Sequence, residues 1–342
     1  MLSKLAMSSE VGRLIMLKNG GALNNIKKML ADCRNELKIL WIASRRREKK
    51  SPYFTVCRPK IVTFAMHKYQ TTMKNLFCIK DKVIVLTGGS GILGSSMAHH
   101  LAEEGAKVVI LDRNEEAGAQ LANDIKERGF EALFLFTDVL AKEMLEKNKQ
   151  DILAAYGRID VLINAAGGNM AGATIPPDKT IFDLEVDAFR KVVDLNLFGT
   201  VLPTMVFAEV MAKQKSGSII NLSSESALRP LTRVVGYSAA KAAVTNFTKY
   251  MAGEMGLKFD GNIRVNAMAP GFFITEQNRT LLTNPDGSYT DRANTILAHT
   301  PFGRFGEPEE LLGTLQWLAS DASGFVTGTV IPIDGGFDAF SI

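Results

Sequence analysis

The 342-residue chain is 46% hydrophobic and 22% charged, a balance that suits a globular protein with a full apolar core and excludes fibrous or low-complexity classes. No run of about 18 apolar residues escapes interruption by charge, Gly or Pro, so no membrane span is expected. Cys33, Cys57 and Cys78 have no metal-ligand spacing and are too few for a disulfide framework, so no metal is expected and a reducing, cytoplasmic setting is.

The net charge of +4 conceals two unlike parts. Residues 1–72 carry 15 Lys and Arg against 4 Asp and Glu, whereas residues 73–342 carry 25 against 32. The folded part is therefore mildly acidic, and nothing in it supports nucleic-acid binding. The first 72 residues show no sustained period of helix or strand and contain Arg45-Arg46-Arg47-Glu48-Lys49-Lys50 before Ser51-Pro52. Three readings fit this basic N-terminal extension: a targeting peptide, a disordered nucleic-acid-binding arm, or a mis-assigned start. The last is preferred, because Met73-Lys74-Asn75-Leu76-Phe77 leads straight into the first strand.

Residues 73–342 read as a single domain. Short β-branched runs alternate with amphipathic stretches: strand 83–87, helix 93–104, strand 107–111, helix 115–128, strand 132–136, helix 142–156 and strand 161–164. A long helix near 186–213 follows, then strand 218–222, a helix near 237–257, strand 263–267, helix 307–320 and strand 330–333. Apolar runs of this length suit strands buried on both faces. Strands separated by helices pair in parallel with right-handed crossovers. The expected fold is α/β, a doubly wound Rossmann fold with one parallel sheet of about seven strands and helices on both faces. Residues 272–300 read as an irregular insertion around Pro285-Asp286-Gly287, placed where a substrate lid would lie.

Thr87-Gly88-Gly89-Ser90-Gly91-Ile92-Leu93-Gly94 closes the first strand and opens the first helix. Glycines admit a pyrophosphate to the backbone, and the helix N-terminus offers free N–H groups and positive dipole. Such a turn alone can be a simple βα connection; the strand–turn–helix context makes it a dinucleotide site. Gly88, Ser90, Gly91, Ile92 and Gly94 are its candidates. Asp112, 18 residues after Gly94, can accept both ribose hydroxyls and would repel a 2′-phosphate, which favours NAD. Arg113 beside it could instead attract that phosphate, which keeps NADP open. Asp138, with Val139, lies where a carboxylate could meet the adenine amine, and Asn164, Ala165 and Gly167 end the fourth strand with small residues along the adenosine path.

Tyr237 and Lys241 stand four apart on one helix face. A free tyrosine has a pKa of about 10. A neighbouring ammonium favours the phenolate and tunes the group as a proton donor. Ser224, 13 residues before Tyr237, can hold the substrate oxygen beside it.

These pieces, with Asn196 in Asp194-Leu195-Asn196-Leu197-Phe198-Gly199, Pro270-Gly271 with Thr275, and Asp334-Gly335-Gly336, resemble the short-chain dehydrogenase/reductases across about residues 79–340. The resemblance implies that Asn196 holds a water in a proton relay through Lys241, that Lys241 binds the nicotinamide ribose, and that Thr275 meets the carboxamide. Pro270, Gly271 and Phe273 complete the implied cofactor set. The family's turn usually has Gly at the position of Ile92; here the glycine stands one place earlier, at Gly91. The resemblance also implies a homo-oligomer, a dimer or tetramer, packed through the two long helices.

Asn164–Gly172, Ser223–Ser226 and Phe272–Arg279 look most like the D-mannonate oxidoreductases (fructuronate reductases) of that family, and also like its gluconate 5-dehydrogenases. A sugar acid needs a cation for its carboxylate and amides or hydroxyls for its hydroxyls. Asn169, Ser226, Arg229, Gln277, Asn278 and Arg279 are the candidates. The expected partner is therefore a small sugar acid. A 3-oxoacyl reductase and a catalytically silent cofactor-binding regulator are the alternatives.

Overall fold

The computed structural model describes residues 75–259, 261–275, 279 and 281–340. The chain divides into two units between Lys74 and Asn75, and Asn75–Ile342 is one of them. The expectations for residues 1–72 lie outside the described residues, as do those for Gln277 and Asn278.

Strands dominated by apolar residues need cover on both faces, and the central ones here are buried almost throughout. β1 (Val83–Thr87), β2 (Lys107–Asp112), β3 (Ala132–Phe136), β4 (Val161–Asn164), β5 (Gly217–Leu222), β6 (Ile263–Pro270) and β7 (Val330–Ile333) form one sheet in the order β3-β2-β1-β4-β5-β6-β7. All six pairings are parallel. The helices are α1 (Ile92–Glu103), α2 (Glu115–Glu127), α3 (Lys142–Tyr156), α4 (Val186–Val193), α5 (Gly199–Gln214), α6 (Glu225–Leu228), α7 (Val235–Lys258), α8 (Asp291–Ala298) and α9 (Leu312–Ala319). Alternate residues of β1 serve two cores. Ile84 and Leu86 pack with Met97 and Leu101 of α1 and Leu315 of α9. Val83 and Val85 pack on the other face with Leu145 of α3 and Phe207 of α5.

The strand order fixes where a ligand can sit. The chain runs outward from β1 to β3, then returns to place β4 on the other side of β1. The connections leaving β1 and β4 therefore diverge, which opens a crevice at their C-terminal ends.

Three local features differ from the sequence reading. The long helix is interrupted by a π-helical turn, Asp194–Phe198, between α4 and α5. Apolar periodicity runs through both halves, so the break is invisible in the pattern. The run Val186–Gln214 has the length and mean hydropathy, 1.5, of a membrane span, yet its α5 half packs on β4, β5 and α3 as a core helix. The insertion is not wholly irregular. It carries α8, whose N-cap Thr290 accepts from the Ala293 amide at 3.3 Å, and a small core of Leu282, Ala293, Ile296 and Phe305. The expected helix 307–320 begins as a 3₁₀ turn, Pro308–Leu311, before α9.

The turn after β1 leaves no room for side chains. Gly88 has φ +66, and a Cβ on it would lie 2.7 Å from the Ala166 Cα. A Cβ on Gly94 would collide with the Gly88 carbonyl oxygen. Gly94→Ala should therefore destabilise the fold by about 1–3 kcal/mol through overpacking. Chemical denaturation of the variant beside the wild type measures this, and a loss below about 0.5 kcal/mol would contradict the close approach.

Candidate active site

A cleft of about 900 Å³ opens at the C-terminal ends of the central strands. Gly88, Ser90, Gly91, Ile92 and Gly94 form one wall of it. Gly91 is the N-cap of α1, in extended conformation, and no side chain caps the helix. The first-turn amides, which no helix satisfies internally, thus border the cleft without a capping side chain among the described residues. That is the chemistry a pyrophosphate requires, and the turn fits one even with Ile92 in place of glycine. Asp112 lies across the turn. Its carboxylate accepts from the amides of Ser90 and Asn114, each at 3.0 Å, and lines the cleft.

Asp138 and Val139 line the cleft beyond β3, and an Asp138 oxygen accepts from the Leu140 amide at 2.9 Å. Ala165 and Gly167 line it after β4. The Thr87 hydroxyl accepts from the Ala165 and Ala166 amides at 3.1 and 3.2 Å, which ties this segment to β1. Pro270, Gly271, Phe273 and Thr275 form the facing wall. Asn164, however, is not among the lining residues. Its side chain is buried and donates to Thr204 Oγ1 at 2.9 Å and Asn221 Oδ1 at 2.8 Å. The last residue of β4 points between strand and helix, so its amide joins a buried polar network instead of meeting an adenosine.

Ser224, Tyr237 and Lys241 come together on the cleft wall. Ser224 ends the β5 connection as the N-cap of α6, and its Oγ accepts from the amide and hydroxyl of Ser226 at 3.2 and 3.1 Å. Tyr237 and Lys241 are one turn apart on α7, with the Lys241 ammonium 5.5 Å from the centre of the Tyr237 ring. Lys241 Nζ donates to the Leu222 carbonyl at 2.7 Å. Burial brings the Lys241 ammonium down to about 8. Burial pushes the Tyr237 phenol above its ordinary value, and only its hydrogen bond with Ser224 pulls it back. The largest influence on the phenol is desolvation, which acts against the acidification expected from a neighbouring ammonium.

Asn196 lies in the π turn and is fully buried. Its Oδ1 accepts from the Gly168 amide at 3.1 Å, and its Nδ2 donates to the carbonyls of Gly168 and Val192 at 2.7 and 2.8 Å. The carboxamide clamps the Gly167–Gly168 segment, and this side chain is not open to the cleft. A Cβ on Gly167 would sit 2.6 Å from Asn196 Oδ1 and 3.4 Å from Lys241 Nζ, so only glycine fits between them.

The substrate candidates scatter. Asn169 Nδ2 donates to Thr174 Oγ1 at 3.1 Å, within its own loop. Ser226 is buried behind Ser224. Arg229 is not available to a substrate: Nε pairs with Asp338 at 3.0 Å, and the rest of the guanidinium donates to the carbonyls of Asp338 and Phe340. The C-terminal segment fills its fork. Arg279 is exposed and outside the cleft lining.

Two residues went unread in the sequence. Lys191 lines the cleft from α4, where it resembles any solvated helical charge. Glu225 follows Ser224 and resembles an ordinary helix N-terminal acid. It is 1% exposed, and neither carboxyl oxygen has a partner among the described residues. Burial, then the charges of Asp334 and Asp338, push it to about 8 against the opposing pull of Arg229.

A family model for short chain dehydrogenases matches residues 82–286. The chain belongs to the short-chain dehydrogenases. An uncharacterized oxidoreductase of Bacillus subtilis, UxuB, is 46% identical over 272 residues, 77% of this chain and 97% of the relative. A Haemophilus influenzae structure, provisionally named a D-mannonate oxidoreductase and holding NAD, is 42% identical with a TM-score of 0.73 over 77% of this chain and 97% of that one. A gluconate 5-dehydrogenase of Burkholderia cenocepacia, in complex with NADP and tartrate, is 32% identical with a TM-score of 0.70 over 78% and 99%. The nicotinamide dinucleotide expected from the sequence agrees with both bound cofactors.

Glu225 gives the site a pH signature. Its folded pKa of about 8 lies above the ordinary 4.5, so the native state keeps a proton that the unfolded chain releases. Stability from this group is full below pH 4.5 and falls as pH rises toward 8. Glu225→Gln removes the titration and should gain on the wild type between pH 5 and pH 8 in denaturant unfolding. An equal difference at both values would show that Glu225 is ionised in the native state.

Proposed function

We propose that the protein is an NAD-dependent oxidoreductase that interconverts a ketone and a secondary alcohol on a sugar acid, with D-fructuronate and D-mannonate as the favoured pair. The observation that carries this reading is the meeting of Ser224, Tyr237 and Lys241 in the cleft that also holds the uncapped glycine turn. Likeness to the Haemophilus protein supports the sugar-acid choice.

The bound nicotinamide supplies hydride for reduction and accepts it in the reverse direction. Ser224 Oγ holds the carbonyl oxygen next to the Tyr237 hydroxyl. Tyr237 donates its proton to that oxygen as it gains negative charge. Lys241, protonated below about pH 8, stabilises the phenolate that remains. Because burial disfavours that phenolate, the ammonium offsets the desolvation that the closed site imposes on Tyr237. Asn196 acts as a positioning residue, holding the Gly168 backbone against the π turn. The Asp112 carboxylate favours NAD over NADP by accepting from the ribose and repelling a 2′-phosphate. Exposed Met205 on α5 and Tyr250 and Leu257 on α7 are apolar surface suited to homo-oligomer packing.

Tyr237→Phe should lower turnover by about 10²–10⁴-fold while NAD still binds. Unchanged turnover would remove Tyr237 from the chemistry and favour the cofactor-binding regulator. Rates on a panel of sugar acids with NADH and NADPH identify the substrate. No activity on fructuronate or mannonate rejects the named pair, and activity confined to gluconate would favour the gluconate 5-dehydrogenase reading. Asp112→Ala should weaken NAD binding by roughly 10- to 100-fold, as loss of a charge-assisted acceptor predicts, and narrow the gap to NADP. Fluorescence titration of both cofactors checks this, and an unaltered NAD:NADP ratio would reject the role of Asp112.

A further inference from the structure

A pyrophosphate carries negative charge that the glycine turn answers only with backbone. Residues 88–94 contain no Lys or Arg, and a helix N-terminus supplies only about half a positive charge as dipole. A cation on the facing wall would complete the neutralisation. Lys191 stands on that wall. It lines the cleft from α4, with Asp194 and Leu195 one helical turn further on. α1 packs on one face of the sheet, whereas α5, which continues α4 through the π turn, packs on the other. The cleft therefore runs between the glycine turn and Lys191.

Two close approaches decide which half of the cleft Lys191 serves. Phe189 faces α7, since a Cβ on Gly236, the residue before Tyr237, would lie 3.1 Å from Phe189 Cδ2. Lys191 is two residues on, about 200° round the helix, and so points away from α7. Past the π turn, a Cβ on Gly199 would lie 3.1 Å from Val139 Cγ2. Val139 lines the cleft beside Asp138, beyond β3. The wall that carries Lys191 thus abuts the adenosine half, not the half with Ser224 and Tyr237. Its backbone is fixed there, because Asn196 Nδ2 donates to the carbonyls of Val192 and Gly168 at 2.8 and 2.7 Å.

The Lys191 side chain is exposed and has no hydrogen bond or ion pair among the described residues. Its neighbour Arg190, by contrast, is taken by Asp187 at 3.0 Å. Asp112, Asp138 and Asp194 line the cleft and would repel a phosphate. Among the described residues, the exposed cations that line the cleft are Arg113 and Lys191, and Arg113 lies beside Asp112 at the ribose end.

We propose that Lys191 is a cofactor-binding residue that closes on the pyrophosphate of the dinucleotide from the wall opposite the glycine turn. This rests on the dinucleotide reading of the cleft and is independent of the sugar-acid substrate. The α1 amides meet one side of the group, and the ammonium neutralises the other as a point charge. Adenosine without phosphates gains nothing from it.

The test is calorimetric titration of the full-length protein with NAD, NADP, ADP and adenosine at low and high salt. It is run on the wild type, Lys191→Met, Lys191→Arg and the control Arg190→Met, with thermal midpoints as checks on folding. Lys191→Met should weaken NAD and ADP by roughly 3- to 30-fold and leave adenosine unaltered. The loss should shrink at high salt, which screens an exposed charge. Lys191→Arg should retain most of the affinity, and Arg190→Met should match the wild type. Equal NAD and ADP affinity in the wild type and Lys191→Met overturns the inference, as does an equal loss for adenosine. A loss confined to NADP also overturns it and assigns Lys191 to the 2′-phosphate. Unaltered dinucleotide affinity with a raised KM for the sugar acid overturns it in favour of a substrate contact. A wild type that binds none of NAD, NADP and ADP brings down the dinucleotide reading and the inference together.

Discussion

The structure depends on one constraint: its strands are apolar on both sides, so the sheet needs helices on both faces. Short connections between parallel strands cannot deliver that cover, and each strand must be followed by a crossover helix. Winding those crossovers first one way from β1 and then the other leaves β1 and β4 adjacent with their connections parting. The crevice is a geometric by-product of hydrophobic cover. Ser224, Tyr237, Lys241 and the glycine turn all line it, since it is where strand ends stand free of a crossing chain.

What holds the crevice in shape is polar and buried. Asn164, Thr204, Asn221 and Thr248 form a chain of hydrogen bonds between β4, β5, α5 and α7. Lys241 adds the Leu222 carbonyl, and Asn196 adds the Gly168 backbone. Unpartnered polar groups are expensive at this depth, so the bonds these side chains make restrict the arrangements the core can adopt, although Asn164 Oδ1 has no partner among the described residues. The same bonds that finish the ends of β4 and β5 thereby orient the wall that carries Ser224, Tyr237 and Lys241.

Desolvation governs the proton chemistry. It lowers Lys241, raises Tyr237 and raises Glu225, three groups within a short stretch of chain that would titrate in widely separate ranges in water. Drawing a lysine down and holding a carboxyl neutral reduces the net charge that the buried wall must carry. The C-terminal segment takes part, because Asp334 and Asp338 face Glu225 while Asp338 also holds Arg229. The last strand's exit is therefore electrostatically joined to the loop that carries Ser224.

The sequence by itself determined the parallel sheet, the strand bounds to within a residue except at the end of β6, which runs three residues further, the glycine turn, and the spacing that puts Tyr237 and Lys241 on one helix face. These follow from local rules: period of apolarity, absence of Cβ at Gly88 and Gly94, and one helical turn between two side chains. Only the tertiary structure decided which polar residues face the cleft. Asn164 and Arg229 carry the right chemistry in the right loops, yet one is drawn into the core and the other is captured by Asp338, more than a hundred residues away in sequence. The π turn at Asn196 and the raised proton affinity of Glu225 are likewise set by long-range packing. A side chain's direction and its proton affinity depend on neighbours brought together by the fold, and no local pattern encodes those neighbours.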